Sequence, residues 1–297
     1  PATATVTWLQ LRLDARRSDV AALEEQLLAT GAVAVTLEDN ADQPLLEPGV
    51  GETPLWNQTR LTGLYPADTD MKCVLRDIPA NLLQQANQRV EILEDKDWER
   101  EWMQHYQPMQ FGRRLWVCPS WLEPPEPGAV NLLLDPGLAF GTGTHPTTAL
   151  CLEWLESAAL EGCRVVDYGC GSGILAIAAA ILGAAEVRAV DIDPQALIAT
   201  DANAERNGVR SRLQITLDND LPRSGTDVLV ANILAGPLVE LAPAFAAAIR
   251  SGGRIALSGI LAGQSNTVTA AYRPWFDIAL TATRDGWTLL AGQRRAD

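Results

Sequence analysis

The stretch VVDYGCGSGILAIAA (165–179) places Gly169, Gly171 and Gly173 between an apolar strand pattern and an apolar helix pattern. Backbone N–H groups at such a turn can bind a nucleotide-type ligand. Asp191 ends the next predicted strand, about 20 residues further on, at the spacing where an acid accepts hydrogen bonds from both ribose hydroxyls. Asp193 is predicted instead to cap the following helix. Together these residues predict a nucleotide-type cofactor site.

The stretch DPGLAFGTGTHPTT (135–148) is a second candidate ligand loop. It contains no lysine, so it is not a phosphate-binding P-loop. No serine, cysteine or acid lies beside His145 in a nucleophile pattern, so a catalytic triad is not supported. Pro146 suits the first turn of a helix whose N-terminus and threonine hydroxyls, Thr148 among them, would face the ligand. The stretch is predicted to form a lid or clamp over the cofactor.

These candidate residues need a parallel sheet to position them. From residue 164 onward, strand and helix patterns alternate at short intervals, which predicts an α/β sheet covered on both faces. The strand candidates are RVVDYG, AEVRAVDID, RLQITLD, DVLVANI and RIALSGI, and the helices include GPLVELAPAFAAAIRSGG (236–253). The final run, DIALTATRDGWTLLAGQRR, contains the Asp285-Gly286 turn signal of a β-hairpin. We therefore expect a parallel sheet that ends in a C-terminal hairpin.

The glycine spacing distinguishes between cofactors. It is G-x-G-x-G, because position 174 is Ile, whereas a dinucleotide site uses G-x-G-x-x-G to approach a pyrophosphate. S-adenosylmethionine has no phosphate, and the predicted hairpin also favours this cofactor. In these features the second half resembles a class I methyltransferase, with a Rossmann-like, mostly parallel seven-stranded sheet and a C-terminal antiparallel hairpin.

Asn232 is the candidate catalytic residue, because it follows the fourth predicted strand at the ligand-binding edge of the sheet. Methyltransferases that act on amines often carry a tetrapeptide similar to N-P-P-Y here, whose first side chain accepts a hydrogen bond from the target nitrogen. This sequence has N-I-L-A, so the aromatic fourth residue is missing. That difference argues against a flat nucleobase and allows an aliphatic amine. An equally good interpretation is that Asn232 only satisfies a strand-to-helix turn.

The first part of the chain predicts a separate α+β domain. Its patterns follow the order strand-helix-strand-strand-helix-strand of a ferredoxin-like fold, with Ser18 capping the first helix and Gly31 ending it. EDKDWEREWMQHY then places Trp98, Trp102 and Tyr106 on one face of a predicted connecting helix. The predicted organisation is an N-terminal domain (1–96), a connecting helix and linker (97–113) and a methyltransferase domain (114–297).

Composition limits the partners and the compartment. The net charge of −14, from 37 acids and 23 bases, disfavours direct nucleic-acid binding and favours a cationic partner, although it can also serve solubility alone. None of the five cysteines forms a C-x-x-C pair, which indicates neither a disulfide framework nor a zinc site. No apolar run reaches about 20 residues and no signal peptide is seen, so we expect a cytoplasmic protein without membrane contact.

The order of motifs resembles a known family over essentially the whole chain. DPGLAFGTGTHPTT, DYGCGSGILAIAA, DIDPQA, NAERNG and VANILAGPL follow a ferredoxin-like domain, as in the bacterial ribosomal protein L11 methyltransferases, the PrmA family. The resemblance implies that Thr148, Gly169, Asp191 and Asn232 hold the cofactor; the turn adds Gly171. It also implies that the N-terminal domain recognises the protein substrate. The loop around Trp56 departs from short family members.

The resemblance implies an S-adenosylmethionine-dependent protein N-methyltransferase. Its expected products are trimethylated lysine ε-amines and a trimethylated N-terminal α-amine on ribosomal protein L11, a basic protein of the large subunit. A monomer without a metal is expected. The alternatives are a methyltransferase for another protein, a nucleic acid or a small-molecule amine, an NAD-dependent dehydrogenase, and a non-enzymatic ribosome-assembly module. A basic patch or an aromatic fourth tetrapeptide residue would favour a nucleic-acid or small-molecule methyltransferase.

Overall fold

The computed structural model describes residues 8–40, 56–84, 86–93, 106–135, 143–217 and 221–296. The chain divides into two compact units, Pro1–Met103 and Gln104–Asp297. The predicted helix around Trp98 and Trp102 lies outside the described residues, as does the segment 41–55 before Trp56. The predicted domain boundaries therefore stay a prediction, although Met109–Phe111 of the predicted linker forms a strand.

The first unit is an antiparallel sheet with helices packed on one face. Its described elements are β1 (Trp8–Arg16), α1 (Val20–Ala29), β2 (Ala34–Asp39), β3 (Gln58–Pro66), α2 (Met71–Asp77), α3 (Ala80–Leu83) and β4 (Asn87–Leu93). The strands pair in the order β2-β3-β1-β4. This arrangement confirms the predicted ferredoxin-like pattern.

Alternation along β1 buries Leu11 and Leu13 in one apolar cluster with α1. The prediction that Ser18 caps α1 is wrong. Asp19 occupies the N-cap position and makes no side-chain bond to the helix, while the Ser18 hydroxyl donates to the Asp19 carboxylate over 3.1 Å. The helix begins at Val20, one residue later than predicted, so Ser18 lies before the N-cap position. Gly31 has a φ of 100°, which confirms that it closes the helix.

The second unit contains a small sheet and a large one. Its described elements are β5 (Met109–Phe111), β6 (Leu115–Cys118), β7 (Val130–Leu133), α4 (Pro146–Ser157), β8 (Arg164–Tyr168), α5 (Ile174–Ile181), β9 (Glu186–Asp191), α6 (Pro194–Arg206), β10 (Leu213–Leu217), β11 (Thr226–Asn232), α7 (Ala235–Ala248), β12 (Ile249–Leu261), α8 (Ser265–Tyr272), β13 (Phe276–Arg284) and β14 (Trp287–Arg294). Strands β5, β6 and β7 form the small sheet. The strand order of the large sheet is β10-β9-β8-β11-β12-β14-β13.

The large sheet is parallel from β10 to β12 and antiparallel from β12 to β13. Asp285 and Gly286 join β13 to β14 with φ values of 49° and 79°. Two successive positive φ angles are those of a type I′ hairpin turn. The predicted parallel sheet with a C-terminal hairpin is therefore confirmed.

Helices cover both faces of the large sheet. Val165 lies in the apolar cluster that contains α4 and α5, while Val166 lies in the cluster that contains α7 and α8. This alternation is expected of a parallel strand buried on both sides. Within the described residues, no helix is both long enough and apolar enough to cross a bilayer.

Two features of the second unit differ from the sequence prediction. The helix predicted to run through residue 253 ends at Ala248, and β12 begins directly with Ile249. A Cβ on Gly253 would lie 2.9 Å from the backbone oxygen of Arg250, so the chain bends at a position only glycine fills easily. Helix α8 was not predicted, because SNTVTAAY is rich in polar and β-branched residues; buried Val268 and Tyr272 hold it in place.

Candidate functional site

Three neighbouring parallel strands end at the same edge of the large sheet, and each is associated with a predicted site residue. Gly169 follows β8, Asp191 ends β9, and Asn232 ends β11. Strands β9 and β11 flank β8 on opposite sides, so the strand order reverses direction here. Open α/β sheets bind ligands at such a switch point. The structure therefore brings the predicted turn, acid and amide to one edge.

The glycine turn after β8 has a backbone that favours glycine. Gly169, Gly171 and Gly173 have φ angles of 79°, 55° and 80°, and Gly173 is the N-cap of α5. A Cβ on Gly169 would lie 2.3 Å from Cγ2 of Ile233. Because a side chain would collide there, only glycine fits easily at position 169. The N–H groups of Gly169 and Gly171 donate to the Val190 carbonyl and to the Asp191 carboxylate.

The carboxylate of Asp191 is fixed by a backbone donor on each oxygen. Oδ2 accepts from the Gly171 N–H over 2.8 Å, and Oδ1 accepts from the Asp193 N–H over 3.0 Å. An ionised carboxylate has about four acceptor positions, so capacity remains for two ligand hydroxyls. Asp193 caps α6 as predicted, accepting from the Gln195 N–H over 2.9 Å, and Pro194 is the first residue of that helix.

Asn232 and Thr148 are in hydrogen-bond contact. Nδ2 of Asn232 donates to Oγ1 of Thr148 over 3.3 Å. Thr148 is buried in the first turn of α4. This contact directs the amide nitrogen toward α4 and leaves the Asn232 carbonyl oxygen available as an acceptor.

His145 is the N-cap of α4. Its Nδ1 accepts from the Thr147 N–H over 3.3 Å and lies 2.7 Å from the Thr147 hydroxyl. Burial lowers the pKa of His145 below its ordinary value, so the ring is neutral at neutral pH. The histidine thus fixes the start of the helix that carries Thr148. Residues 136–142 of the predicted lid lie outside the described residues.

Asp167 is a candidate functional residue that the sequence analysis missed. It is fully buried, and its Oδ2 accepts from the Ala176 N–H in α5 over 2.9 Å. Its Oδ1 has no hydrogen-bond partner among the described residues. Burial raises the pKa of Asp167 to about 7. The signal available in the sequence was an acid inside a strand predicted to be buried on both faces.

The C-terminal end of α6 connects the glycine turn to the end of β7 and to the first residue of the predicted lid. Nδ2 of Asn203 donates to the Ser172 carbonyl over 2.8 Å, and Asn207 pairs with both backbone groups of Leu133, at 2.7 and 2.8 Å. Arg206 forms an ion pair with Asp135 at 3.4 Å. The NAERNG motif therefore has a structural role, which depends on contacts with residues distant in the sequence.

A cavity of about 370 Å³ lies beside Asn232. Its lining residues are His145, Thr147, Asn232, Ile233, Leu234, Gly259 and Trp287. A Cβ on Gly259 would lie 2.2 Å from the backbone oxygen of Ile233, so glycine lets β12 approach the end of β11. The rings of His145 and Trp287 lie with centroids 5.1 Å apart and planes at 68°. With His145 neutral, none of these seven described lining residues carries a charge.

The reversed strand order, the glycine turn at the switch point and the antiparallel hairpin define a class I methyltransferase fold. The sequence model of the family described as "Ribosomal protein L11 methyltransferase (PrmA)" matches residues 7–295. The chain belongs to this family.

Related proteins agree with this assignment over nearly the whole chain. A ribosomal protein L11 methyltransferase of Azotobacter vinelandii is 56% identical over 292 residues, covering 97% of this chain and 99% of that protein. One of Pseudomonas aeruginosa (strain LESB58) is 56% identical over 299 residues, covering 98% and 99%. The crystal structure of a ribosomal protein L11 methylase from Lactobacillus delbrueckii subsp. bulgaricus has a TM-score of 0.57 and 35% identity, covering 64% of this chain and all of that one. The dehydrogenase and assembly-module alternatives are therefore set aside.

Proposed function

We propose that this protein uses S-adenosylmethionine to methylate amines of ribosomal protein L11. The proposed products are trimethylated lysine ε-amines and a trimethylated N-terminal α-amine. The observation that carries the proposal is the fixed amide of Asn232. Its nitrogen donates to Thr148, and the residue lines a cavity at the ligand-binding edge of the sheet whose described lining residues carry no charge. That arrangement suits a methyl-accepting amine, whose nitrogen lone pair must be oriented.

The residues at the sheet edge fit S-adenosylmethionine. Asp191 retains acceptor capacity for the ribose hydroxyls, and Gly169 and Gly171 place no side chain in the turn beside it. Asp167 Oδ1 adds a buried acceptor that is unpartnered among the described residues. When bound, S-adenosylmethionine supplies an electrophilic methyl carbon attached to a sulfonium. We propose that Thr148 and Asn232 belong to the same cofactor site, as the resemblance to the family implies; the hydrogen bond between them supports this.

The substrate amine must be neutral when it accepts the methyl group. A lysine with a pKa of about 10.4 requires about 4 kcal/mol to lose its proton near neutral pH. The seven described lining residues offer no carboxylate that would hold the ammonium form, and desolvation lowers the amine pKa further. The Asn232 carbonyl can accept an N–H from the ammonium or from the neutral amine, so it does not itself deprotonate the amine. Its role is to orient the nitrogen lone pair toward the methyl carbon, and water takes the proton of the ammonium.

The charge of the chain favours a basic protein over a nucleic acid as the substrate. The fourth tetrapeptide residue is Ala235, which is buried, so the tetrapeptide itself supplies no ring to stack on a base. The net charge of −14 attracts a basic partner. The cytoplasmic location, the monomeric state and the lack of nucleic-acid and membrane contacts stay predictions.

Intact-mass measurement tests the proposed function. Purified L11 incubated with the full chain and S-adenosylmethionine is expected to gain whole methyl groups at several amines, because the cavity admits a flexible chain and imposes no flat ring. Peptide mapping would then locate the methyl groups on lysines and on the N-terminus. A matched reaction without the cofactor should leave the mass unchanged. Normal cofactor binding without any gain in L11 mass would contradict the proposal.

We also propose that the N-terminal unit recognises L11. A fragment beginning near Asp97 retains the large sheet and every assigned site residue, so it is expected to fold and bind S-adenosylmethionine. Its methylation of L11 should fall to about a tenth or less, because tethering through a second surface raises the effective concentration of each amine. Thermal melting would measure folding of the fragment, cofactor titration its binding of S-adenosylmethionine, and intact mass its methylation of L11.

Free lysine methyl ester is the matched control for this fragment, since it makes no contact with a remote recognition surface. Fragment and full chain should methylate it at similar rates. If the fragment methylates L11 at the full rate, the recognition role is wrong. If it aggregates or loses the cofactor, the N-terminal unit stabilises the fold instead.

A further inference from the structure

Trp287 reaches the cavity because β14 runs antiparallel to its neighbours. Strands β11 and β12 end at the ligand-binding edge, whereas β14 starts there, and Trp287 is its first residue. Its register partner in β12 is Leu261, two residues beyond Gly259. The hairpin thus places an indole beside the same cavity as Asn232. An aromatic ring that is missing from the tetrapeptide is supplied by a different element.

The hydrogen bond from Asn232 cannot serve all three proposed transfers equally. A neutral primary amine has two N–H groups for the carbonyl to accept, and a monomethylated amine has one. A neutral dimethylated amine has none, so the third transfer lacks this contact. The group that orients the dimethylated amine must therefore act without a hydrogen bond.

An aromatic wall meets this requirement. Ring faces attract N-methylated cations, and the attraction increases as positive charge develops on nitrogen. Trp287 and His145 form two walls at 68°, in a cavity where none of the described lining residues carries a charge. Among these described lining residues, an indole face is therefore the contact best suited to a methylated nitrogen.

We propose that Trp287 determines progress to the trimethylated product by positioning the dimethylated amine for the third transfer. This inference rests on the proposed function. In each transfer the nitrogen lone pair forms the new N–C bond, the C–S bond breaks, and its electron pair remains on sulfur. The first two ammonium products release a proton to water before they react again. The third product keeps a permanent positive charge, which the indole stabilises as it forms.

The test compares unmodified L11 with L11 whose amines have been reductively dimethylated. For each enzyme variant, the rate on dimethylated L11 is divided by the rate of first transfer on unmodified L11, which cancels any difference in the folded fraction. Trp287→Leu is expected to lower this ratio about tenfold and to accumulate dimethylated L11 by intact mass. Trp287→Phe should recover most of the ratio, because it restores a ring.

Trp275→Leu is the matched control, since Trp275 packs beside α7 and α8 and does not line the cavity. Its ratio should equal that of the wild type. An unchanged ratio in Trp287→Leu would overturn the inference and leave the proposed function intact. A wild-type enzyme that methylates neither form of L11 would overturn both.

Discussion

An Asn232→Ala variant is expected to lose about a hundredfold in kcat on L11, with a much smaller loss of cofactor affinity. The amide orients the amine chiefly while the methyl group is in transfer, so its removal affects the transition state more than the bound cofactor. Some affinity loss should accompany it, because Asn232 is also proposed to contact the cofactor. Steady-state kinetics on L11 and calorimetric titration with S-adenosylmethionine would measure the two effects separately.

Thr148→Val is the matched variant for this experiment. It keeps the shape of the buried side chain and removes the hydroxyl that accepts from Asn232 Nδ2. The carbonyl of Asn232 is then present but less well fixed, so kcat should fall by about tenfold or less. Unchanged turnover in Asn232→Ala would show that the amide only satisfies the turn after β11.

Asp191→Ala is expected to weaken S-adenosylmethionine binding by about a hundredfold or more. Two charge-assisted hydrogen bonds to the ribose, at about 1.5–3 kcal/mol each, would be lost. The substitution also removes the acceptors of the Gly171 and Asp193 N–H groups, so the glycine turn loses a restraint. Calorimetric titration of the full chain would measure the affinity.

Asp193→Ala provides the comparison for Asp191, because it removes a carboxylate two residues away. That side chain caps α6, so its loss should lower the free energy of unfolding by about 1 kcal/mol and leave cofactor affinity near the wild-type value. Equal affinity losses in the two variants would mean that general loosening, and not ribose binding, explains the Asp191 effect. Urea unfolding of both variants would complete the comparison.

The parts of the site that the sequence predicted are those fixed by local rules. Gly169 and Asp191 each lie at the end of a strand pattern followed by a helix pattern, and parallel strands bring their carboxyl ends to one edge. The hairpin turn at Asp285-Gly286 has an equally local signal.

Most of the parts that were missed depend on contacts between distant segments. Nothing near Trp287 in the sequence indicates that it lies beside Asn232, because this requires the register of three strands. The contacts of Asn203 and Asn207 likewise depend on which backbone groups the fold brings within reach. The capping role of His145 is local, since it bonds the N–H two residues on, and was missed because histidine is not a typical N-cap residue. Asp167 was overlooked because its burial, and not its spacing, makes it unusual.

The contact between Asn232 and Thr148 has a consequence for how the enzyme matures. These residues are 84 positions apart. Trp287, on the last described strand in chain order, lines the same cavity as Asn232. During synthesis, the N-terminal unit and the first helices of the second unit emerge well before this edge is complete. The proposed cofactor site is therefore complete only in a chain whose edge strands have all assembled, and S-adenosylmethionine bound there would favour the native state by mass action.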